Sequence, residues 1–464
     1  MAMSYKVRFW EIRERPNRER GFEVRWTVSG REKSESFRTK GLAESRRAKL
    51  MTAARDGEPF DLRSGLPASE LRALKQRTTW YALAREYIEL RWDRTPGNTR
   101  RTLADAFATI TPALVEPGAV YHHPRVLRRA LYSWAFNKNA WKTEPAEEWQ
   151  EALTWLERNS LPVSELEDPD TLRRALDALC RKLDGTAAAA KTVKRKKAAV
   201  NEAFGVAVER GYFTHNPLHG LRWTAPEAAD EVDPDCVPNP AQVARLLEAV
   251  RHLPGRGPHL YAFFACMYHA AMRPAEVIHL GKVQCRLPPT GWGLLNLKGG
   301  VVTAGRERTD NGSVHEIHPL KRRAAKATRP VPIPPVLVRI LREHIEQFGV
   351  APDGRIFRNA KGNYIDASAY GITWNRAREA TLTLDEHALE IAKRPYDLRH
   401  AGISFWLASG VDPAECARRA GQSIQVLFRH YAKFSWPRRA TTPTGSSRTP
   451  CGAGRAPRRP MRAG

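Results

Sequence analysis

The 464-residue sequence is short of acid: 50 Asp and Glu stand against 76 Lys and Arg, which leaves a net charge of +26 and a pI near 10.2. It is also poor in cysteine, with only Cys180, Cys236, Cys266, Cys285, Cys416 and Cys451, no two of them spaced C-x-x-C. A chain this long needs no disulfides, so reduced thiols in a cytoplasm are expected. No Cys/His pair pattern recurs, and His215 and His219 flank Pro217, so neither a metal site nor a cofactor is expected. Long apolar runs are missing too. The longest, HLYAFFACMYHAAM at 259–272, is too short to cross a bilayer and reads as a buried helix. The opening MAMSYKVRFWEIRER has early charges and no apolar core of a secretory signal. Together these shortages argue against a transmembrane helix, a disulfide scaffold and a zinc site.

Hydrophobics at 42% and aromatics at 9% describe a folded protein, and about three domains follow from the length. Such an excess of base on a folded chain points to a polyanion, nucleic acid first, with arginine-rich codon usage as the plain alternative. Residues 5–13, 22–28 and 33–38 read as three short strands, and 41–55 as a helix with Leu42, Arg46, Lys49 and Leu50 on one face. A small sheet with one helix can lay a strand face in a DNA groove, or be a simple accessory domain. Turn residues at 56–67 form a linker. From 79 to 217 the pattern is helical, with helices expected at 80–91, 100–109, 124–137, 146–158, 170–182 and 187–210. The last begins with Lys191, Lys194, Arg195 and Lys197, a one-sign charge run suited to phosphate contact, though such a run is commonly just a solvated face. The acidic, Pro-containing stretch 225–238 separates two basic regions. Asn239-Pro240 then opens a further helix. Beyond it come strand-like pieces at 292–297 and 329–333 and helices at 335–348, 368–380, 397–409, 413–420 and 424–430. The tail from Pro437 holds seven arginines and no acid, and its composition predicts disorder.

Three segments of the C-terminal half carry chemistry. In AAMRPAEVIHL (270–280), Arg273 sits where one helix stops and another starts. In RPYDLRHAGISFWLASG (394–410), Arg399 and His400 lie in the first turn of a helix, a natural anion site. In ARRAGQSIQVLFRHYAKF (417–434), Gly421 divides two helical pieces and Tyr431 follows Gln422 by nine residues. The order and spacing resemble the catalytic domain of the tyrosine recombinase (phage integrase) family, with its boxes G-L/M-R-x-x-E-L/V, H-x-L-R-H and L-G-H followed by a tyrosine. The ending ERGYFTHNP of the helical segment is similar to the end of that family's core-binding domain, so the resemblance spans about 75–436.

The resemblance implies a mainly α chain with small β elements (α+β). Residues 1–60 would be an arm-type DNA-binding domain, 75–222 the helical core-binding domain, 239–436 the catalytic domain and 437–464 a basic tail. It implies a site-specific DNA recombinase working on double-stranded DNA as a homotetramer, with a directionality factor as a further partner, in the bacterial cytoplasm or nucleoid. Arg273 and Arg399 would hold the scissile phosphate, because a guanidinium pairs phosphate bidentately and keeps its charge. Tyr431 would attack phosphorus, giving a 3′-phosphotyrosyl link. A lysine before Arg329-Pro330-Val331-Pro332 would protonate the leaving oxygen. Lys321 is preferred over Lys326, and the glycines at 299–300 and Asn311-Gly312 suggest an insertion nearby. His400 and the 191–197 cluster would contact DNA. Two positions depart from the family: Tyr396 stands where His opens the second box, and Gln422 where the third box has His or Trp. A catalytically impaired DNA-binding protein is therefore the alternative, and a type IB topoisomerase a third class. The bland reading of the arginines is ion pairing inside the fold, Arg273 with Glu276 and Arg399 with Asp397.

Overall fold

The computed structural model describes residues 3–15, 18–227, 234–320, 324 and 327–431. They form a mainly helical α+β chain whose buried apolar residues gather into three separate clusters.

The first cluster lies under an antiparallel sheet. Strand Phe22–Val28 alternates so that Val24, Trp26 and Val28 face inward. It pairs along its whole length with Arg31–Phe37 through a two-residue turn, Ser29-Gly30, with φ of 51° and 84°. Its other edge takes Val7–Phe9 and Arg13–Glu14. The expected single strand over 5–13 is thus two pieces. Phe9 faces Trp26 but Arg13 faces Glu23, a slip of one residue that marks a bulge. Helix Lys40–Arg55, capped by Thr39, covers the sheet with Ala43, Leu50 and Ala53.

The second cluster is an aromatic core built by helices Trp80–Trp92, Gly97–Ile110, Pro124–Ala130, Glu147–Asn159, Pro169–Leu179 and Ala190–Glu209. Trp80, Tyr87, Phe136 and Phe204 pack directly or through Phe107, with ring centroids 5.5–5.9 Å apart. The helix expected over 124–137 instead loosens into a π-turn at Leu131–Ala135. Two carbonyls there, of Tyr132 and Phe136, have a donor from the third unit, described below.

The third cluster surrounds helix Gly257–His269, which is apolar on nearly every side because helices Pro240–His252, Pro335–Phe348 and Asp397–Ala408 all pack on it. Asn239 and Gln242 form a capping box at the start of the first of these. Gly402 lets the 397–408 helix cross so near Tyr268 that a Cβ there would strike the Tyr268 carbonyl. One edge is closed by the antiparallel sheet Cys285–Arg286, Gly293–Leu297 and Arg329–Ile333. A hairpin, Gly299–Thr303 with His315–Pro319, projects from it.

The loop of that hairpin docks into the helical unit. Arg308 is fully buried and donates to the carbonyls of Phe136 (2.9 Å) and Tyr132, with its guanidinium 4.7 Å from the Tyr132 ring centre. It therefore caps the end of the π-turn, where a cation is favoured. In return, Arg100 donates to the Arg308 carbonyl (2.9 Å) and to Asp310 (2.6 Å). Asn139 donates to the carbonyls of Glu307 and Thr309. The hairpin loop is thus a clasp between the helical unit and the C-terminal one.

Candidate active site

Local sequence aims the first arginine. Helix Gly257–His269 ends, Ala271 reverses the chain at φ 45°, and Pro274 starts the short helix Pro274–Ile278. Glu276 in that helix accepts from the Arg273 backbone N–H and from its Nη1, both at 2.9 Å. The second arginine, Arg399, lies in the first turn of helix Asp397–Ala408 and is 1% exposed. It donates through Nη1 to the Ala271 carbonyl and through Nη2 to the Ala420 carbonyl at 2.7 Å. Arg273 reaches the same place, with Nη1 3.4 Å from the Ala420 oxygen and Nη2 2.9 Å from the Gly421 oxygen.

Both guanidinium groups therefore converge on the joint between helices Pro413–Ala420 and Ile424–Tyr431. Gly421 makes that joint at φ 63°, ψ 52°, the left-handed conformation that ends a helix cheaply only for glycine. A Cβ at Gly421 would also collide with Nη1 of Arg329. Arg329, 2% exposed, holds Glu276 bidentately, Nη1 to Oε1 at 2.9 Å and Nη2 to Oε2 at 2.8 Å.

Electrostatics follow this wiring. Burial alone would raise the Glu276 pKa, but Arg329, then Arg273 and Arg399, outweigh it and bring it down to about 2. Burial likewise opposes the charge on Arg273, and Glu276 and Tyr396 more than restore it, so its pKa lies above the ordinary value. The Tyr396 hydroxyl lies close enough to that guanidinium to favour its charge. Its ring is edge-on to His400 at 5.2 Å and 6.0 Å from the Arg399 guanidinium. Gln422 places its Nε2 in the interior with no hydrogen-bond partner among the described residues, a donor left for something else.

The sequence-derived residues are thus only partly gathered. Arg273, Arg399, Tyr396 and His400 adjoin the joint that carries Gln422. Tyr431 is the last residue of helix Ile424–Tyr431, and its side chain lies outside what the structure describes. Lys321 and Lys326 also lie outside the described residues. Of the ion pairs expected on the bland reading, Arg273–Glu276 is present at 2.9 Å, whereas Asp397 pairs with Arg394 at 3.0 Å. In the helical unit Lys191, Lys194 and Arg195 are exposed, while Lys197 lies 4.7 Å over the Trp223 ring. Arg195 lines a groove of about 560 Å³ with Arg101, Arg128, Arg129, Tyr132 and Ser133. Sequence reasoning missed Arg101, Arg128 and Arg129, which come from two other helices. It also missed Lys196, which is buried against Asp105 at 3.0 Å. Among the described residues no group of His, Cys, Asp and Glu could hold a metal ion, and no helix is long and apolar enough to cross a membrane.

Three arginines and one carboxylate thus meet at a single helix joint. No family model and no curated protein matches the chain. Solved structures similar to it include two integrases and a site-specific recombinase. The Tn1549 transposon integrase (residues 82–397) in complex with a circular intermediate DNA is 15% identical, with a TM-score of 0.47 over 68% of this chain and 91% of that one. A lambda integrase tetramer bound to a Holliday junction gives 12%, 0.43, 92% and 97%. The XerH site-specific recombinase bound to difH gives 11%, 0.41, 72% and 91%.

Proposed function

We propose that this chain is a site-specific DNA recombinase that cuts and rejoins DNA through Tyr431. The observation that carries the reading is the meeting of Arg273 and Arg399 on one helix joint, ten residues before the tyrosine. Cleaving a phosphodiester by this route needs a nucleophile, cations on the non-bridging oxygens and a proton for the leaving group. Arg273 and Arg399 supply the cations. The Tyr431 oxygen gives up its proton to water and attacks phosphorus, the P–O5′ bond breaks, and the 3′-phosphotyrosyl ester conserves the bond for rejoining. Lys321, or Lys326, gives its proton to the departing 5′ oxygen. The unpartnered Gln422 amide and the Tyr396 hydroxyl add donors to the phosphate. The basic groove at Arg101, Arg129 and Arg195 and the run Lys191, Lys194 and Lys197 grip the backbone of the duplex. His400 supports the site from beneath Tyr396. The sheet of residues 1–60 binds accessory sites, four protomers assemble on two duplexes, and the work is integration or excision of a mobile element in a bacterial nucleoid.

The test is a nicked duplex carrying the end sequence of the element that encodes the chain. A covalent protein–DNA adduct that disappears in Tyr431→Phe supports the reading. A second reading, DNA binding without cleavage, is favoured by one observation: both arginines already bond main-chain carbonyls, and neither Tyr396 nor Gln422 brings a charge. Tight binding with no adduct would select it.

A further inference from the structure

Glu276 poses an electrostatic problem. A carboxylate within 2.9 Å of Arg273 cancels much of the positive charge that an incoming phosphate needs. It does so at close to full strength, because Glu276 is 5% exposed and held ionised, so little water screens it. Yet Glu276 is what orients Arg273, through both its backbone N–H and its guanidinium. The chain keeps the carboxylate and adds a third arginine behind it. Arg329 engages both Glu276 oxygens, touches no open surface and abuts Gly421 at the joint. The cluster Arg273, Arg329, Arg399 and Glu276 then carries three positive charges and one negative.

We propose that Arg329 is a positioning residue that neutralises Glu276, so that Glu276 can orient Arg273 without consuming its charge. The inference rests on the proposed phosphate chemistry. It assigns to Arg329 a role that its own contact with DNA could not supply, since it is buried. Arg329 also begins the strand Arg329–Ile333, so the cluster anchors the start of that strand.

Charge balance predicts a rescue that packing does not. In the full chain, Arg329→Met should slow adduct formation at saturating nicked duplex by about 100-fold, with DNA affinity changed less than about threefold, since Arg329 is not in contact with the duplex. Adding Glu276→Gln to it should recover at least about tenfold of the loss, because the uncompensated anion is gone. Arg329→Lys, which keeps the charge and loses the fork, should fall between. In the Glu276→Gln background, Arg329→Met should cost less than about threefold. That comparison holds even if the single Arg329→Met variant fails to fold. An unimpaired Arg329→Met, or an equal loss with and without Glu276, overturns the inference. Orthovanadate titrated against the wild type and these four variants, read by melting temperature, separates the two claims. If the wild type forms no adduct the proposed function falls, while the same rank order of vanadate stabilisation would still uphold the role of Arg329. Loss of that rank order, or no vanadate stabilisation of the wild type, overturns it.

Discussion

Arg273 and Arg399 donate to one acceptor, the carbonyl oxygen of Ala420, at 3.4 and 2.7 Å, although they lie 126 positions apart in the chain. One carbonyl shared by two guanidinium groups is a weak substitute for an anion, since each charge-assisted bond strengthens when the acceptor is itself charged. A phosphate oxygen can therefore compete for the same donors. Arg399→Lys should retain the charge but lose the fork. Cleavage should fall by about 10²–10³-fold, the usual scale for losing a preorganised donor, while DNA binding measured at fixed salt changes far less.

The joint at Gly421 is the second test. Gly421→Ala must hold φ 63° with a side chain and push Arg329 aside. Left-handed strain costs about 1–2 kcal/mol, and overpacking roughly 1–3 kcal/mol more. Urea unfolding should show a loss of that combined order, and cleavage should drop with it, because Glu276 loses its bidentate partner. A neutral substitution would contradict the account of the joint.

The clasp makes a third prediction. Arg308→Ala leaves the carbonyls of Tyr132 and Phe136 without their donor in a dry interface. The cost should be roughly 2–4 kcal/mol, by analogy with other buried charge-assisted bonds. The helical and C-terminal units should then melt in separate steps, and the 222–239 connection should become easier to cut with protease. Co-operative melting in the variant would show that the clasp does not couple the two units.

Acid should weaken the C-terminal unit before it touches the arginine cradle. Burial brings His259, His269 and His344 down to about 4, with the Arg358 charge assisting at His259 and His344. Their folded pKa lies below the ordinary 6.5, so the unfolded chain takes up protons first. The stability they allow is complete above pH 6.5 and drains away as pH falls towards 4. The Glu276 contribution has a lower window, present above about 4.5 and lost towards 2. Melting temperature should therefore fall by on the order of 5 °C or more between pH 7 and 5, and His344→Phe should flatten that slope. An unchanged slope in the variant, with the fold intact, would remove His344 from the explanation.

Much of this fold is legible in the sequence where one rule acts alone. The apolar run at 259–272 is the buried helix Gly257–His269, and strand Arg329–Ile333 and helix Pro335–Phe348 lie where their patterns put them. Legibility fails where distant parts decide. The π-turn at 131–135 has its carbonyls capped by Arg308 from another unit, and no local pattern signals that partner. The hairpin strands at 299–303 and 315–319 are glycine-rich and histidine-rich, which obscured them. At the site, the motif residues were readable one by one. The wiring was not: Arg329 and Glu276 are 53 residues apart, and only the folded chain shows that Arg329 holds the carboxylate that also binds Arg273. Asp397, a candidate partner for Arg399, turns instead to Arg394, three residues before it.

The most direct measurement is mass spectrometry of the protease-digested adduct formed on a nicked core-site duplex. The account predicts a nucleotide attached to Tyr431 through a 3′-phosphate, absent when either Arg273 or Arg399 is replaced by alanine. A nucleotide on any other residue, or an adduct that persists without both arginines, would contradict it.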